Sequence, residues 1–155
     1  MYKKILVPLD GSDLAECVLP HVESIAKGRG VQDVVFLCVV EPFTASTGAL
    51  GPFFTEQDRQ NINSQNRAAA EKYLSQLVKH TKYRGVTIQS EVVVGSAADS
   101  IADYASKNGV DLIIIATHGR SGVSRWVWGS VADRVLRSAS VPVLMVRAPG
   151  CVPGI

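Results

Sequence analysis

The run Ala116-Thr117-His118-Gly119-Arg120-Ser121-Gly122-Val123-Ser124-Arg125-Trp126-Val127-Trp128-Gly129-Ser130 gathers residue types that hold an anion. Its glycines let backbone amides come close to a charged ligand. Gly129-Ser130 opens a helical pattern, and the free amides and positive dipole end of a helix start favour phosphate. The Ser130 hydroxyl can donate to a phosphate oxygen; Arg120 and Arg125 add positive charge and His118 a further donor. The same residues equally suit a glycine-rich turn closed by an ordinary N-cap serine. Asp10 is the second feature. A carboxylate ending the first apolar run can accept from ribose hydroxyls or help hold a metal. It can also close an Asx turn with Gly11 and Ser12.

Familiar catalytic patterns are missing. No G-x-G-x-x-G follows the first apolar run, which argues against a standard dinucleotide site, and no Walker-type G-x-x-x-x-G-K-[ST] exists. Gly119-Arg120-Ser121-Gly122 lacks the spacing of a hydrolase nucleophile elbow, and its only local base is His118. His21 falls on a helical pattern as an edge-packing residue, and His80 reads as a solvated helix-end residue. Three separated histidines make no metal site. A phospho-acceptor receiver domain would need an aspartate ending the third strand, where this chain has Val94-Gly95.

The net charge of +2 and the lack of a basic stripe argue against nucleic acid as partner; Lys79, Lys82 and Arg84 read as a solvated helix end. No segment approaches the roughly 20 apolar residues that span a bilayer. The apolar run after Lys3-Lys4 ends at Asp10-Gly11-Ser12, too soon for a signal peptide. Cys17, Cys38 and Cys151 fit neither a disulfide framework nor a zinc spacing. Cys17 and Cys38 sit in apolar patterns, and a prenylation box would need its cysteine at Val152. The cytoplasm is the expected compartment.

The elements that must position these residues follow from the apolar pattern. Of 155 residues, 46% are apolar and 19% charged, enough for one substantial core. Strands are predicted at Lys4 to Leu9, Asp33 to Val40, Val86 to Val94, Asp111 to Ala116 and Val141 to Val146. The first, second and fourth are nearly continuous apolar runs, as in strands buried on both faces. Helices are predicted from Ser12 or Asp13 to about Lys27, ended by Gly28 and Gly30, and from Glu56 to Lys82. The first turns Leu14, Cys17, Val18, Val22 and Ile25 inward; the second turns Ile62, Ala69, Tyr73, Leu77 and Val78. A third, capped by Ser96, runs to Lys107 and closes at Asn108-Gly109. A fourth, capped by Ser130, runs to Ser138 with Val131, Val135 and Leu136 inward.

Alternation of strand and helix predicts an α/β fold: an open, five-stranded, mostly parallel sheet with helices on both faces. One domain is expected over residues 1–148, followed by a short tail at 149–155. Glu41 to Thr55, with two glycines and two prolines, is the one long irregular segment, and Gly48 to Phe54 is a candidate to close over a ligand. In such sheets ligands bind beyond the carboxyl ends of the strands. That shortlists Pro8, Leu9 and Asp10, then Val40 and Glu41, Gly95, and the run from Thr117 to Gly129.

Several of these stretches resemble the universal stress protein family over nearly the whole chain. They are Lys3-Lys4-Ile5-Leu6-Val7-Pro8-Leu9-Asp10-Gly11-Ser12, Gly95-Ser96-Ala97-Ala98, Ala116 to Gly122, Gly129-Ser130-Val131-Ala132, and Val141-Pro142-Val143-Leu144-Met145-Val146. The resemblance implies a Rossmann-like fold of the adenine nucleotide alpha hydrolase-like kind. The ATP-binding branch carries G-x2-G-x9-G-[ST]; here Gly119, Gly129 and Ser130 match, and Ala116 replaces the first glycine. It further implies binding of ATP, ADP or AMP, with Mg²⁺ accompanying the triphosphate. Asp10 would contact ribose, while Pro8, Leu9 and the backbone at Val39 would receive adenine. Gly119, Arg120, Gly129, Ser130 and Val131 would hold phosphates, with Ala116, Thr117, His118 and Gly122 completing the site. A homodimer through the last strand is also implied. Three functions are therefore in view: a nucleotide-dependent sensor or regulator, a dimeric interaction module without nucleotide, and a slow ATP hydrolase using Asp10 and His118 around a metal. Trp126 and Trp128 flank the loop, either packed beneath it or facing a partner.

Overall fold

The computed structural model describes residues 2–44, 55–117 and 130–147, with Arg29 by its backbone alone. Strands β1 (Lys4–Pro8), β2 (Asp33–Val40), β3 (Thr87–Val94), β4 (Leu112–Ala116) and β5 (Val143–Val146) form one sheet. Its order is β3-β2-β1-β4-β5, and every neighbouring pair is parallel. The three strands with continuous apolar runs are the three interior ones. Ile5, Leu6, Val7, Val34, Val35, Phe36, Leu37, Ile113 and Ile114 are all fully buried. Burying each such side chain contributes about 1.5–3 kcal/mol, so the pattern fixes which strands lie in the middle.

Helices α1 (Asp13–Glu16), α2 (Leu19–Arg29), α3 (Glu56–His80), α4 (Ala97–Lys107) and α5 (Ser130–Ser138) cover both faces. Ile5, Val7, Val34 and Phe36 pack with Val22 of α2 and Ala70 and Leu74 of α3. Leu6, Val35, Leu37 and Ile113 pack with Ala98, Ile101 and Ala105 of α4 and with Ala132 and Val135 of α5. Period-two alternation along each strand sends neighbouring residues to opposite cores.

Several predicted boundaries are corrected. The expected helix from Ser12 to Lys27 is two helices, because Pro20 falls in the first turn of α2. Proline has no amide hydrogen and crowds the carbonyl four residues earlier, so the preceding helix stops. Gly28 lies inside α2, and only Gly30, at φ 67°, ends it. Ser12 rather than Asp13 is the cap of α1. On α3, which ends at His80 rather than Lys82, Ala69 faces solvent and Ala70 takes its place. The stripe Ala70, Tyr73, Leu74, Leu77 and Val78 then keeps helical spacing. On α5, Ala132 and Val135 are buried, whereas Val131 and Leu136 are 37% and 46% exposed. The two expected inward residues flank the buried stripe instead. Ser130 is the first residue of α5, and Ser96 caps α4 without a side-chain hydrogen bond. His21 is exposed rather than packed. The strand predicted from Val141 begins at Val143; the Pro142 carbonyl still accepts from the Ile113 amide at 3.0 Å.

Asp111 was expected inside the fourth strand but sits just before it. Its Oδ2 accepts from the Lys3 and Lys4 amides at 2.8 and 2.9 Å, tying the start of β1 to the start of β4. These two bonds hold its carboxyl below the ordinary 3.8. Among the described residues no helix is long and apolar enough to cross a membrane.

Candidate functional site

β1 pairs with β2 on one side and β4 on the other, so strand order reverses at β1. The carboxyl ends there diverge into opposite crossovers and leave a crevice. A cleft of about 180 Å³ occupies that place. Pro8, Leu9 and Asp10 enter it from the end of β1, Leu37 and Val39 from β2, and Ile115 and Ala116 from β4. Ser130 and Val131, from the first turn of α5, complete the expected residues found together there.

Asp10 performs the turn role. Its Oδ1 accepts from the Ser12 amide at 2.9 Å and from the Ser12 hydroxyl at 2.5 Å. Gly11 between them has φ 80°, a conformation that glycine adopts without a Cβ penalty. Ser12 Oγ in turn accepts from the Ala15 amide at 3.2 Å and caps α1. Asp10 is nonetheless exposed and lines the cleft, so one carboxylate serves the turn and stands at the rim.

The cleft walls are apolar near β1 and β2 apart from Asp10, and α5 adds one polar residue, Ser130, beside Val131 and Ala132. Below them, burial first and the Asp10 charge second push the Cys38 thiol up. Cys38 therefore stays a neutral core group, not a nucleophile. At the other end of α1, Tyr73 donates to Glu16 Oε1 at 2.8 Å, which joins α1 to α3. Burial and that bond push the Tyr73 hydroxyl well above its usual value.

Ala116 is the last residue of β4, in extended backbone, with its Cα in register with Val146. Nothing in that conformation requires glycine. Thr117 differs from its expected place. It is buried, its amide donates to the Val146 carbonyl at 2.8 Å, and it does not line the cleft. His118, Gly119, Arg120, Gly122 and Gly129, with Trp126 and Trp128, lie outside the described residues, as do Cys151 and the segment Gly48 to Phe54. Among the described residues no cluster of three or more His, Cys, Asp or Glu side chains forms a metal site.

Pattern reading missed three alanines. Ala15 of α1, Ala97 of α4 and Ala132 of α5 each bring a small side chain to the cleft from a first helical turn. Alanine carries no periodic signal. Only the motif stretches around Ala97 and Ala132 pointed there.

A doubly wound parallel sheet with a cleft at its switch point defines an α/β domain of the Rossmann-like class. The model of the Universal stress protein family matches residues 1–147, and the chain belongs to that family. Universal stress protein MJ0531 of Methanocaldococcus jannaschii is 32% identical over 150 residues, covering 96% of this chain and 84% of that one. The solved structure of MJ0577, from the same organism, superposes with a TM-score of 0.81 at 28% identity and covers 97% of this chain and 99% of its own. A universal stress protein of Archaeoglobus fulgidus solved in complex with dAMP shares the fold, with a TM-score of 0.58, 24% identity, and coverage of 93% and 97%.

Proposed function

We propose that this chain binds an adenine nucleotide in the cleft at the ends of β1, β2 and β4, and acts as a nucleotide-dependent sensor or regulator in a stress response. The observation that carries the reading is the convergence of Pro8, Leu9, Asp10, Val39, Ala116, Ser130 and Val131 on one cleft at the switch point. Their chemistry fits the ligand in order. Pro8, Leu9 and Val39 offer apolar contact to a base, and the Val39 backbone an edge to read. Asp10 offers an acceptor to ribose hydroxyls. The Ser130 amide and hydroxyl offer donors to phosphate, with Val131 beside them. By motif, Gly119, Arg120 and Gly129 join them. A relative of the same fold holds dAMP, which fits this class of ligand. Any Mg²⁺ arrives with the phosphates of ATP rather than in a protein cage.

The test is isothermal titration of the purified chain with ATP, ADP and AMP. Saturable one-to-one binding of at least one is expected. No binding by any of them at millimolar concentration overturns the reading.

A second reading, a dimeric interaction module without nucleotide, is favoured by Ala116 in place of the motif glycine. Both readings share a homodimer through β5, an edge strand whose Leu144 is 37% exposed. Light scattering is expected to give twice the chain mass, and Leu144→Lys to halve it; a monomeric natural protein contradicts the dimer.

A further inference from the structure

β1 is the central strand of the sheet, and it ends in a proline. Proline has no amide hydrogen to give to a ladder and is rarely placed between two partner strands. In a parallel sheet the residues of one strand turn their N–H and C=O groups to alternate neighbours. Along β1 and its flanks, the Lys3 carbonyl accepts from the Asp33 amide at 3.0 Å and the Leu9 amide donates to the Leu37 carbonyl at 2.8 Å, both on the β2 side. The Lys4 carbonyl accepts from the Asp111 amide at 2.9 Å, on the β4 side. By alternation, Leu6 and Pro8 also face β4. On β4, the Ile113 and Thr117 amides donate towards β5, to the Pro142 and Val146 carbonyls at 3.0 and 2.8 Å. Ile114 and Ala116 therefore face β1.

Pairing stops where this arrangement puts the proline. β1 stays in register with β2 through Pro8↔Leu37, but with β4 only through Leu6↔Ile113. The next β1–β4 bond would run from the amide of residue 8 to the Ile114 carbonyl, and Pro8 cannot make it. Ile114 is fully buried, so bulk water does not replace that donor. Beyond this point Pro8, Leu9 and Asp10 line the cleft together with Ile115 and Ala116. We propose that Pro8 is a positioning residue that holds the cleft open: by withholding one ladder donor it keeps β1 and β4 apart where the nucleotide enters. The inference rests on nucleotide binding in the cleft. On the β2 side residue 8 has no bond to give, so proline disturbs nothing there. On the β4 side it stops a closure that a residue with an amide hydrogen would allow.

The experiment restores the donor in the full chain with Pro8→Ala and Pro8→Val, the second keeping most of the apolar bulk of proline. Hydrogen exchange reads the new amide, and titration calorimetry reads AMP. In both variants the amide at position 8 is expected to be protected to the level of the Leu9 amide. AMP affinity is expected to fall about tenfold, the weight of one net backbone hydrogen bond that the ligand must now break. Fast exchange at position 8 overturns the proposal, because the ladder has not closed. Protection with AMP affinity unchanged overturns it too, since closure then leaves the site intact. Affinity lost in Pro8→Ala but kept in Pro8→Val assigns the effect to side-chain contact and overturns it as well. If the natural protein binds no AMP, the nucleotide reading itself fails, and exchange at position 8 still decides whether proline is what ends the ladder.

Discussion

The first turns of α4 and α5 approach one cleft from the same face of the sheet; the Ala97 amide of α4 donates to Glu41, whereas among the described residues no side chain accepts from the first amides of α5. α4 is met by Glu41 and carries Asp99. α5 begins with Ser130, and the first-turn carboxylates of both helices are paired, Asp99 with Arg134 and Asp133 with Arg137, so Glu41 is what sets the two apart. The fold supplies several helix starts at this edge; the side chains around each decide which can hold a phosphate. A helix start alone is therefore a poor guide to a site, and the charges that meet it are a better one.

The sharpest way to break the comparison is to give α5 the charge of α4. Ser130→Asp is expected to weaken AMP binding about 100-fold, or about 2.7 kcal/mol, by titration calorimetry. The thermal midpoint should hold or rise, because a carboxylate suits a helix first turn. Unchanged affinity would mean that α5 is not the phosphate seat. Next in size is Asp10→Asn. Its amide oxygen can still accept from Ser12, so α1 stays capped, but the loss of a charge-assisted bond to ribose should cost about tenfold in AMP affinity. Affinity within error of the natural protein would confine Asp10 to its turn.

A smaller effect is expected at Ala116, which is extended already. Ala116→Gly should change AMP affinity by less than about threefold, since no strained backbone is relieved. If the glycine instead creates binding that the natural chain lacks, the interaction-module reading wins. The smallest effect lies away from both helices. The Asp111 carboxyl is held below 3.8 in the folded chain, so its contribution to stability is present above pH 3.8 and is lost as pH falls through the folded value. The thermal midpoints of the natural chain and Asp111→Asn should differ above pH 3.8 and converge in acid, with AMP affinity equal in both at neutral pH. A gap that persists in strong acid would contradict the role given to the Lys3 and Lys4 amides.

The interior strands were legible because strands covered on both faces must be apolar without interruption, and Ile113-Ile114-Ile115 or Val34 to Leu37 have no competing explanation. Helix facing was less so. On α5, Val131, Ala132, Val135 and Leu136 offer two overlapping stripes, and packing rather than pattern chooses between them. The split at Pro20 was open to the proline rule, but a helical stripe that ran across it concealed the break. At the site, Asp10 fitted two roles in sequence, and the Asx turn is the one seen in its bonds. Glu41 was visible only as a residue at a strand end. Its meeting with α4 joins positions 56 apart in the chain, which no local pattern reports.

Amide chemical shifts during titration of the ¹⁵N-labelled chain with AMP test the central claim most directly. Saturable shifts at Leu9, Asp10, Val39 and Ser130 to Ala132, larger than those at Ala97 to Ser100, are the predicted result. Shifts concentrated on α4, or none at the ends of β1 and α5, would contradict it.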